Sequence, residues 1–355
     1  MKIGILTFHC AHNYGAVLQA YALQTYLQQL GHDVYIINYR PQYLLNAKKF
    51  CGHFRRLKMT VKRLLSFSSY SQQKNKFASF CKEYLNVAEF DFNVKSNSYD
   101  LFIVGSDQIW NPSITGGEFD KIYFGDFKAG IDTKIIAYAA SIGGYCIKPE
   151  DKAFLRKKLN TFHGISVREN KLQIQLQSIL HKNIDCVLDP SLLIDSSVFE
   201  SLVSKPLMNQ QYICIYEVAP DSRTVQIAKN LAEQRGYIQI IRIGNYLRDY
   251  RGLINIKNAG PIDFLNYIRY AECVITTSFH GTAFSIVFKK TFLTVNAGKS
   301  SDSRIKDMLC DLDLLNCYVD NPDSVSIPQP DYKKVDELLD KRKKESQFFL
   351  SKNLQ

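Results

Sequence analysis

The chain has 355 residues, 46% of them hydrophobic and 22% charged, which is typical of a soluble globular protein with room for two domains. No apolar run reaches the roughly 18 residues needed to span a bilayer, and Met1–Phe8 is too short for a signal peptide, so a membrane-spanning or secreted protein is not expected. The nine cysteines are scattered without a Cys-x-x-Cys pair, which favours free thiols in a reducing cytoplasm over disulfides or a zinc site.

The net charge of +11 comes from one segment, residues 34–82, which has no Asp or Glu. Such an asymmetry predicts an anionic partner. Residues 48–63 place apolar and basic side chains on different faces of a helix, as in a helix that contacts anionic lipid at a membrane surface. An ordinary solvated helix is the alternative. No nucleic-acid-binding module accompanies the charge, so nucleic acid is not expected as a partner.

The amino-terminal part has the pattern strand, loop, helix, strand. Lys2–Phe8 is the first predicted strand and Val34–Tyr39 the second, which is how a doubly wound sheet begins. The loop lacks the Gly-x-Gly-x-x-Gly fingerprint, so no dinucleotide cofactor is predicted. Asn13 and Gly15 in this loop either bind a ligand or serve as turn residues that open the helix.

A second strand end carries several polar groups. The apolar run that ends at Val104 is followed by Ser106, Asp107, Gln108 and the single tryptophan, Trp110. Asp107 and Gln108 suit a hydroxyl-rich ligand, and Trp110 suits stacking on a sugar ring. A turn-capping aspartate and a buried tryptophan are the alternative interpretation.

Arg168 follows the short predicted strand Gly164–Val167. An arginine in this position either makes a bidentate contact to a carboxylate or phosphate, or opens the next helix paired with Glu169. Asp189-Pro190 then interrupts the chain. We therefore predict a first domain over 1–190 that includes the basic segment 34–82.

The remaining chain repeats the α/β alternation. A second domain is predicted over 191–325, and a charged terminal helix over 331–352 that packs back on the first domain. The predicted fold class is therefore α/β, with two Rossmann-like domains facing each other across a cleft, a favoured position for ligands.

The stretch Cys273–Phe288 is a predicted strand, turn and helix. The turn contains Ser278, His280 and Gly281, and the helix that follows offers backbone N–H groups and a partial positive charge to an anion. His280 is suited to acid–base chemistry near neutral pH, although histidines in turns are often structural. Lys299 and Arg304 follow the next predicted strand and supply further positive charge, without forming a P-loop.

Together these motifs resemble the polysaccharide pyruvyl transferase family over roughly residues 1–315. The resemblance is carried by Asn13–Ala16, Val104–Asn111, Ser166–Glu169, Asp189-Pro190, Ser278–Thr282 and Asn296–Arg304.

The resemblance implies a two-domain architecture similar to GT-B glycosyltransferases. It also implies transfer of pyruvate from phosphoenolpyruvate, with no separate cofactor or metal, onto two hydroxyls of one sugar as a cyclic ketal. The expected acceptor is a capsule or exopolysaccharide precursor on a lipid diphosphate, at the cytoplasmic membrane face.

The resemblance and the residue types together assign three sets of site residues. The catalytic residues are His280 as the acid and Asp107 as the base; Arg168, Ser278, Gly281, Lys299 and Arg304 bind the donor; and Asn13, Tyr14, Gln108 and Trp110 bind the acceptor. Many family members have an arginine where this chain has Ser278, so Arg304 or Lys299 must replace it here or the donor differs. A GT-B glycosyltransferase that uses a nucleotide sugar and a non-catalytic glycan-binding or assembly protein stay open as alternatives.

Overall fold

A computed structural model describes residues 1–46, 61–94, 98–236, 238–244, 250–298, 302–320 and 327–355. The chain forms two compact units. The first unit contains Met1–Cys51, Cys81–Ile194 and Leu339–Gln355, and the second contains Gly52–Phe80 and Asp195–Leu338. Each unit is built on its own parallel sheet with helices, which confirms the predicted α/β class with two Rossmann-like domains.

In the described part of the first unit, seven parallel strands form a sheet in the order β3-β2-β1-β4-β5-β6-β7. These strands are β1 (Lys2–Leu6), β2 (Asp33–Ile37), β3 (Val87–Ala88), β4 (Leu101–Val104), β5 (Lys134–Ala140), β6 (Gly164–Val167) and β7 (Asp185–Cys186). The helices of this unit are α1 (Tyr14–Gln29), α2 (Gln42–Asn46), α4 (Asp151–Leu159), α5 (Asn170–Leu180) and α6 (Pro190–Leu193), with a 3-10 helix at Lys121–Phe124.

The central strands of this sheet are buried on both faces. Phe102 and Val104 of β4 pack into one apolar cluster, whereas Leu101 and Ile103 pack into another. Successive side chains of a strand point to opposite faces, so each strand contributes to both clusters. This explains why the sequence of β4 is continuously apolar and does not alternate between apolar and polar residues.

The described part of the second unit holds a six-stranded parallel sheet in the order β10-β9-β8-β11-β12-β13. Its strands are β8 (Tyr212–Tyr216), β9 (Gln239–Ile243), β10 (Ile254–Ile256), β11 (Cys273–Thr276), β12 (Thr291–Val295) and β13 (Tyr318–Val319). Its helices are α7 (Ser196–Glu200), α8 (Ser222–Gln234), α9 (Pro261–Arg269), α10 (Phe279–Val287) and α11 (Asp302–Asp311), with a 3-10 helix at Leu315–Cys317.

Two long helices, α3 (Val61–Tyr84) and α12 (Tyr332–Asn353), are shared between the units. The part of α3 up to Phe80 clusters with the second unit, whereas the sequence placed all of 34–82 in the first. The physical reason is a set of contacts with the start of α9: the Gln73 amide donates to the Ala259 carbonyl at 3.2 Å, and Lys76 Nζ lies 2.7 Å from an Asp263 carboxylate oxygen.

The predicted membrane contact at 48–63 lies mostly outside the described residues, which resume at Val61. Within the described ranges, no helix combines the length and apolar character that crossing a membrane would require.

The end of α12 packs on the first sheet. Phe349 and Leu350 are buried in the same apolar cluster as Ile3 and Ile5 of β1, and the Leu188 backbone N–H donates to Ser346 Oγ at 2.9 Å. The neighbouring Phe348 is 70% exposed.

We expect Phe349→Ala to lower the free energy of unfolding of the first unit by about 3–5 kcal/mol, because it leaves a cavity against the sheet. Phe348→Ala is the matched control and should change it by less than about 0.5 kcal/mol. Urea unfolding followed by circular dichroism measures both. Equal losses for the two variants would contradict the packing of α12 described here.

Candidate active site

Both sheets reverse their strand order at one point, between β1 and β4 in the first unit and between β8 and β11 in the second. At such a point the connections leave toward opposite faces of the sheet, and ligands bind outside the carboxyl ends of the two strands. The turn after β4 contains Asp107, and the first turn of α10, which follows β11, contains His280. Two of the predicted catalytic residues therefore lie at the two switch points.

The turn after β4 is held in place by close backbone packing. Gly105 has φ +132°, and a Cβ atom there would lie 2.1 Å from the Tyr138 carbonyl oxygen, so only glycine fits. The next residue, Ser106, donates from its hydroxyl to Asp189 Oδ2 at 3.2 Å. The Asp107 carbonyl accepts from the Ser141 N–H at 3.1 Å. These bonds hold the turn against Ser141, directly after β5, and against Asp189.

Arg168 lies among carboxylates rather than open to a ligand. Its side chain is 2% exposed; Nη1 lies 2.5 Å from Asp189 Oδ2 and Nη2 lies 3.7 Å from Asp107 Oδ1. Burial lowers the pKa of Arg168, but the charges of Asp189, Glu169 and Asp107 outweigh it and raise the pKa overall. Several negative groups already surround this cation, so an anionic donor that binds Arg168 must compete with them.

Gln108 is half-buried beside the turn that follows β5. Its Oε1 accepts from the Asn111 amide at 2.9 Å, and a Cβ on Gly143 would lie 2.1 Å from the same oxygen.

The position of Trp110 contradicts the prediction that it binds a sugar of the acceptor. Its side chain is 1% exposed, its indole N–H donates to the Tyr123 carbonyl at 2.8 Å, and its ring stacks on Phe124. The 3-10 helix over Lys121–Phe124 covers it. Trp110 therefore belongs to the core and does not present a face for a sugar to stack on.

Asn13 and Tyr14 lie at the start of α1, after β1. Asn13 is exposed and is the N-cap of the helix, because its side-chain oxygen accepts from the Ala16 N–H at 3.3 Å. Tyr14 is buried. This position is compatible with both interpretations of Asn13, as a ligand-binding residue and as a turn residue that opens the helix. Tyr14 is mainly a packing residue.

In the second unit, the strand β11 passes directly into α10. Thr276 Oγ1 donates to the Tyr216 carbonyl at 2.7 Å and accepts from the Ser278 N–H at 3.0 Å, which joins the two central strands at the switch point. Ser278 is the N-cap of α10 and its hydroxyl accepts from the Gly281 N–H at 3.3 Å. A Cβ at Gly281 would lie 2.2 Å from Thr276 Oγ1, so glycine is needed for the helix to begin here.

Ser278 and Gly281, two of the predicted donor-binding residues, therefore bond to each other through the cap. His280 is the second residue of α10 and is 7% exposed. It lies where the partial positive charge of the helix N-terminus is strongest.

Arg304 of α11 reaches the same region. Its guanidinium carbon lies 5.8 Å from the centroid of the Phe279 ring, and the His280 ring packs edge-on against that ring with centroids 5.2 Å apart. The tertiary structure thus places His280 and Arg304, which are 24 positions apart in the sequence, against the same Phe279 ring. Lys299 lies outside the described residues.

A buried ion pair that the sequence analysis did not identify supports this switch point. Arg242 Nη2 and Nε lie 2.6 and 2.8 Å from Glu217 Oε2, and both side chains are fully buried. Glu217 Oε1 also accepts from the Asp221 N–H at 3.0 Å. The pair fixes the loop after β8, beside the His280 turn. Its sequence signal is an arginine inside the apolar run of β9.

Within the described ranges, no group of three or more His, Cys, Asp or Glu side chains is arranged to hold a metal ion.

Solved structures similar to this chain include a UDP-GlcNAc 2-epimerase from Neisseria meningitidis bound to UDP-GlcNAc (8% identity, 98% of this chain and 93% of that chain, TM-score 0.45). Another is Arabidopsis thaliana UGT89C1 complexed with UDP-L-rhamnose (12% identity, 99% of this chain and 97% of that chain, TM-score 0.48). A search of curated protein sequences found no significant match.

The family model described as polysaccharide pyruvyl transferase matches residues 13–298. This range includes the residues at both switch points, with Asp107 after β4 and His280 at the start of α10. The chain therefore belongs to the polysaccharide pyruvyl transferase family.

Proposed function

We propose that this protein transfers pyruvate from phosphoenolpyruvate to two hydroxyls of one sugar in a cell-surface polysaccharide precursor. The single observation that carries the proposal is that His280 and Arg304 both pack against the Phe279 ring at the N-terminus of α10. This arrangement offers one acid–base group and one fixed cation to a small anion.

The second unit suits the donor. Phosphoenolpyruvate has a carboxylate and a phosphate, and both are stabilised by a helix N-terminus and by guanidinium groups. We assign Arg304 to the donor, with Lys299 as a second cation, in place of the arginine that many family members carry at the position of Ser278.

The reaction has a definite proton balance. Two sugar oxygens bond to C2 of phosphoenolpyruvate, the bond from C2 to the phosphate oxygen breaks, and C3 gains a proton to become a methyl group. Of the two hydroxyl protons lost by the sugar, one is balanced by the proton gained at C3 and the other leaves with the phosphate. We assign His280 as the acid that protonates C3, a role worth about 10²–10⁴-fold in rate for a well-placed group.

The first unit suits the acceptor. Asp107 is the proposed base for a sugar hydroxyl, and Gln108 and Asn13 lie at neighbouring strand ends of the same sheet. Arg168, which is 3.7 Å from Asp107 and tightly paired with Asp189, is proposed to hold Asp107 in place rather than to bind the donor. Carboxylate and amide groups of this kind accept and donate hydrogen bonds to neutral hydroxyls.

The proposed acceptor is carried on a lipid diphosphate, and the basic segment 48–63 would then hold the protein at the anionic cytoplasmic membrane surface.

His280→Ala should lower the rate of phosphate release from phosphoenolpyruvate by about 10²–10⁴-fold in the presence of a galactoside or mannoside acceptor. His32→Ala is the control and should keep the wild-type rate, because His32 lies in the first unit, directly before β2. Phosphate release and the new methyl signal of the ketal in proton NMR are measured together. If the wild type instead releases a nucleoside diphosphate from a nucleotide sugar and leaves phosphoenolpyruvate intact, the protein is a glycosyltransferase.

Arg304→Gln should weaken phosphoenolpyruvate binding roughly 10- to 150-fold, because a hydrogen bond to a charged group contributes about 1.5–3 kcal/mol. Lys306→Gln, on the same helix with a side chain 47% exposed, is the matched control and should bind normally. Isothermal titration calorimetry with phosphoenolpyruvate measures both. Equal affinity for wild type and Arg304→Gln would remove Arg304 from the donor site.

Arg168→Met should lower the free energy of unfolding by about 3–5 kcal/mol, since it leaves Asp189 buried without its cation. Lys158→Met is the control within the same unit; its ion pair with Asp126 is partly exposed and should contribute about 1 kcal/mol or less. Urea unfolding measures the stability and calorimetry the donor affinity. Normal stability combined with lost phosphoenolpyruvate binding would return Arg168 to the donor site.

A further inference from the structure

A second polar cluster lies in the first unit, at the carboxyl ends of β1 and β2. It consists of Tyr39, Tyr43, Tyr123 and Asp120, and we call it the Asp120 cluster. The Tyr39 and Tyr43 hydroxyls both donate to Asp120 Oδ2, at 2.8 and 2.5 Å. The other carboxylate oxygen of Asp120 accepts from the Ile122 N–H at 3.0 Å and caps the 3-10 helix.

The cluster occupies the same edge of the sheet as the Asp107 turn. Tyr39 lies two residues after β2 ends, and Phe8 lies two residues after β1 ends. The rings of both pack edge-on against Tyr123, with centroid separations of 5.4 and 5.3 Å. This is the edge at which parallel sheets bind ligands.

Tyr123 is the unusual member of the cluster. It is fully buried, yet its hydroxyl has no hydrogen-bond partner among the residues that the structure describes. Two other buried tyrosines, Tyr138 and Tyr212, each donate to a backbone carbonyl, at 3.0 and 3.1 Å. The Tyr123 hydroxyl lacks such a bond within the described residues, and burying a phenol without a partner costs free energy.

The charge state of the groups around Tyr123 indicates what kind of ligand the cluster can bind. Burial raises the pKa of Tyr123 well above its usual value, and the nearby Tyr43, Cys10 and Asp120 raise it further. The pKa values of Tyr39 and Tyr43 are also raised, by burial and then by Asp120. All three phenols therefore stay neutral, and the carboxylate of Asp120 is the one ionised group among the four members of the cluster.

We propose that the Asp120 cluster binds a sugar residue of the acceptor through its hydroxyl groups. The half-buried Tyr39, Tyr43 and Asp120 are the members that a ligand reaches directly. A sugar hydroxyl donates to Asp120 in place of one phenol, and the released phenol then bonds a second sugar oxygen or the Tyr123 hydroxyl. Exchange of this kind suits neutral ligands with several hydroxyls and matches no part of phosphoenolpyruvate.

This inference rests on the proposed function, because it assigns the acceptor of that reaction. The cluster residues are positioning and specificity residues, since the bonds that form and break in the proposed transfer are assigned to other groups. Their loss should therefore affect acceptor binding and leave donor binding unchanged.

The test uses the full chain with methyl β-galactoside and methyl α-mannoside as probes, in the presence of phosphoenolpyruvate. Saturation-transfer NMR titrations measure sugar affinity, and calorimetry measures donor affinity. We expect at least one glycoside to bind, Tyr43→Phe to weaken it roughly 3- to 10-fold, and Asp120→Asn to weaken it roughly 10- to 100-fold. Phosphoenolpyruvate affinity should stay at the wild-type value in both variants.

Tyr35→Phe is the matched control, because Tyr35 lies in the middle of β2 and its ring packs against Tyr99, outside the cluster. It should keep sugar affinity, and thermal unfolding of every variant should show that the chain folds. Binding of neither glycoside to the wild type, or unchanged sugar affinity in both cluster variants, would overturn the inference.

The outcome also separates this inference from the proposed function. If phosphoenolpyruvate is converted normally and the cluster variants bind sugar like wild type, the cluster assignment fails while the transferase function stands. If sugar binding depends on the cluster but phosphoenolpyruvate does not bind, the cluster assignment stands and the donor assignment fails.

Discussion

Each unit depends on the parallel pairing of its two central strands, β1 with β4 and β8 with β11. These strands are almost completely buried, so their backbone polar groups are satisfied by neighbouring strands rather than by water. Parallel pairing puts the ends of both strands at one edge, and the reversal of strand order opens that edge between the helices. The turns after β4 and β11 are therefore the positions where polar side chains can serve a ligand without disrupting a core.

The two switch points have different electrostatic character. Asp107, Asp189 and Glu169 surround Arg168 in the first unit, so negative charge exceeds positive charge there. In the second unit His280 and Arg304 both pack against Phe279 at a helix N-terminus, which favours negative ligands. This contrast supports the proposal that a neutral sugar binds in the first unit and an anionic donor in the second. The carboxylate of Asp120 adds further negative charge at the same edge of the sheet in the first unit.

Buried polar groups also hold these turns in place. Arg242 with Glu217, and Arg168 with Asp189, are ion pairs away from solvent, where each partner must keep the other. Thr276 bonds both Tyr216 and Ser278 and so fixes the start of α10 relative to β8. Side chains that act on a substrate need such supports, because a small displacement of the reacting group lowers the rate strongly.

The sequence by itself determined the α/β class and the positions of Asp107 and His280 at strand ends. Apolar runs, turn residues and helix caps are local signals, and they locate a residue along its own element. The two-residue strand β3 has too few residues to show a pattern. Only the tertiary structure decided that Trp110 is buried, that Arg168 is enclosed by carboxylates and that α3 joins the second unit. The physical reason is distance along the chain: Asp189 lies 21 residues from Arg168, and Asp120 lies 81 residues from Tyr39, so the partners of these side chains are set by packing.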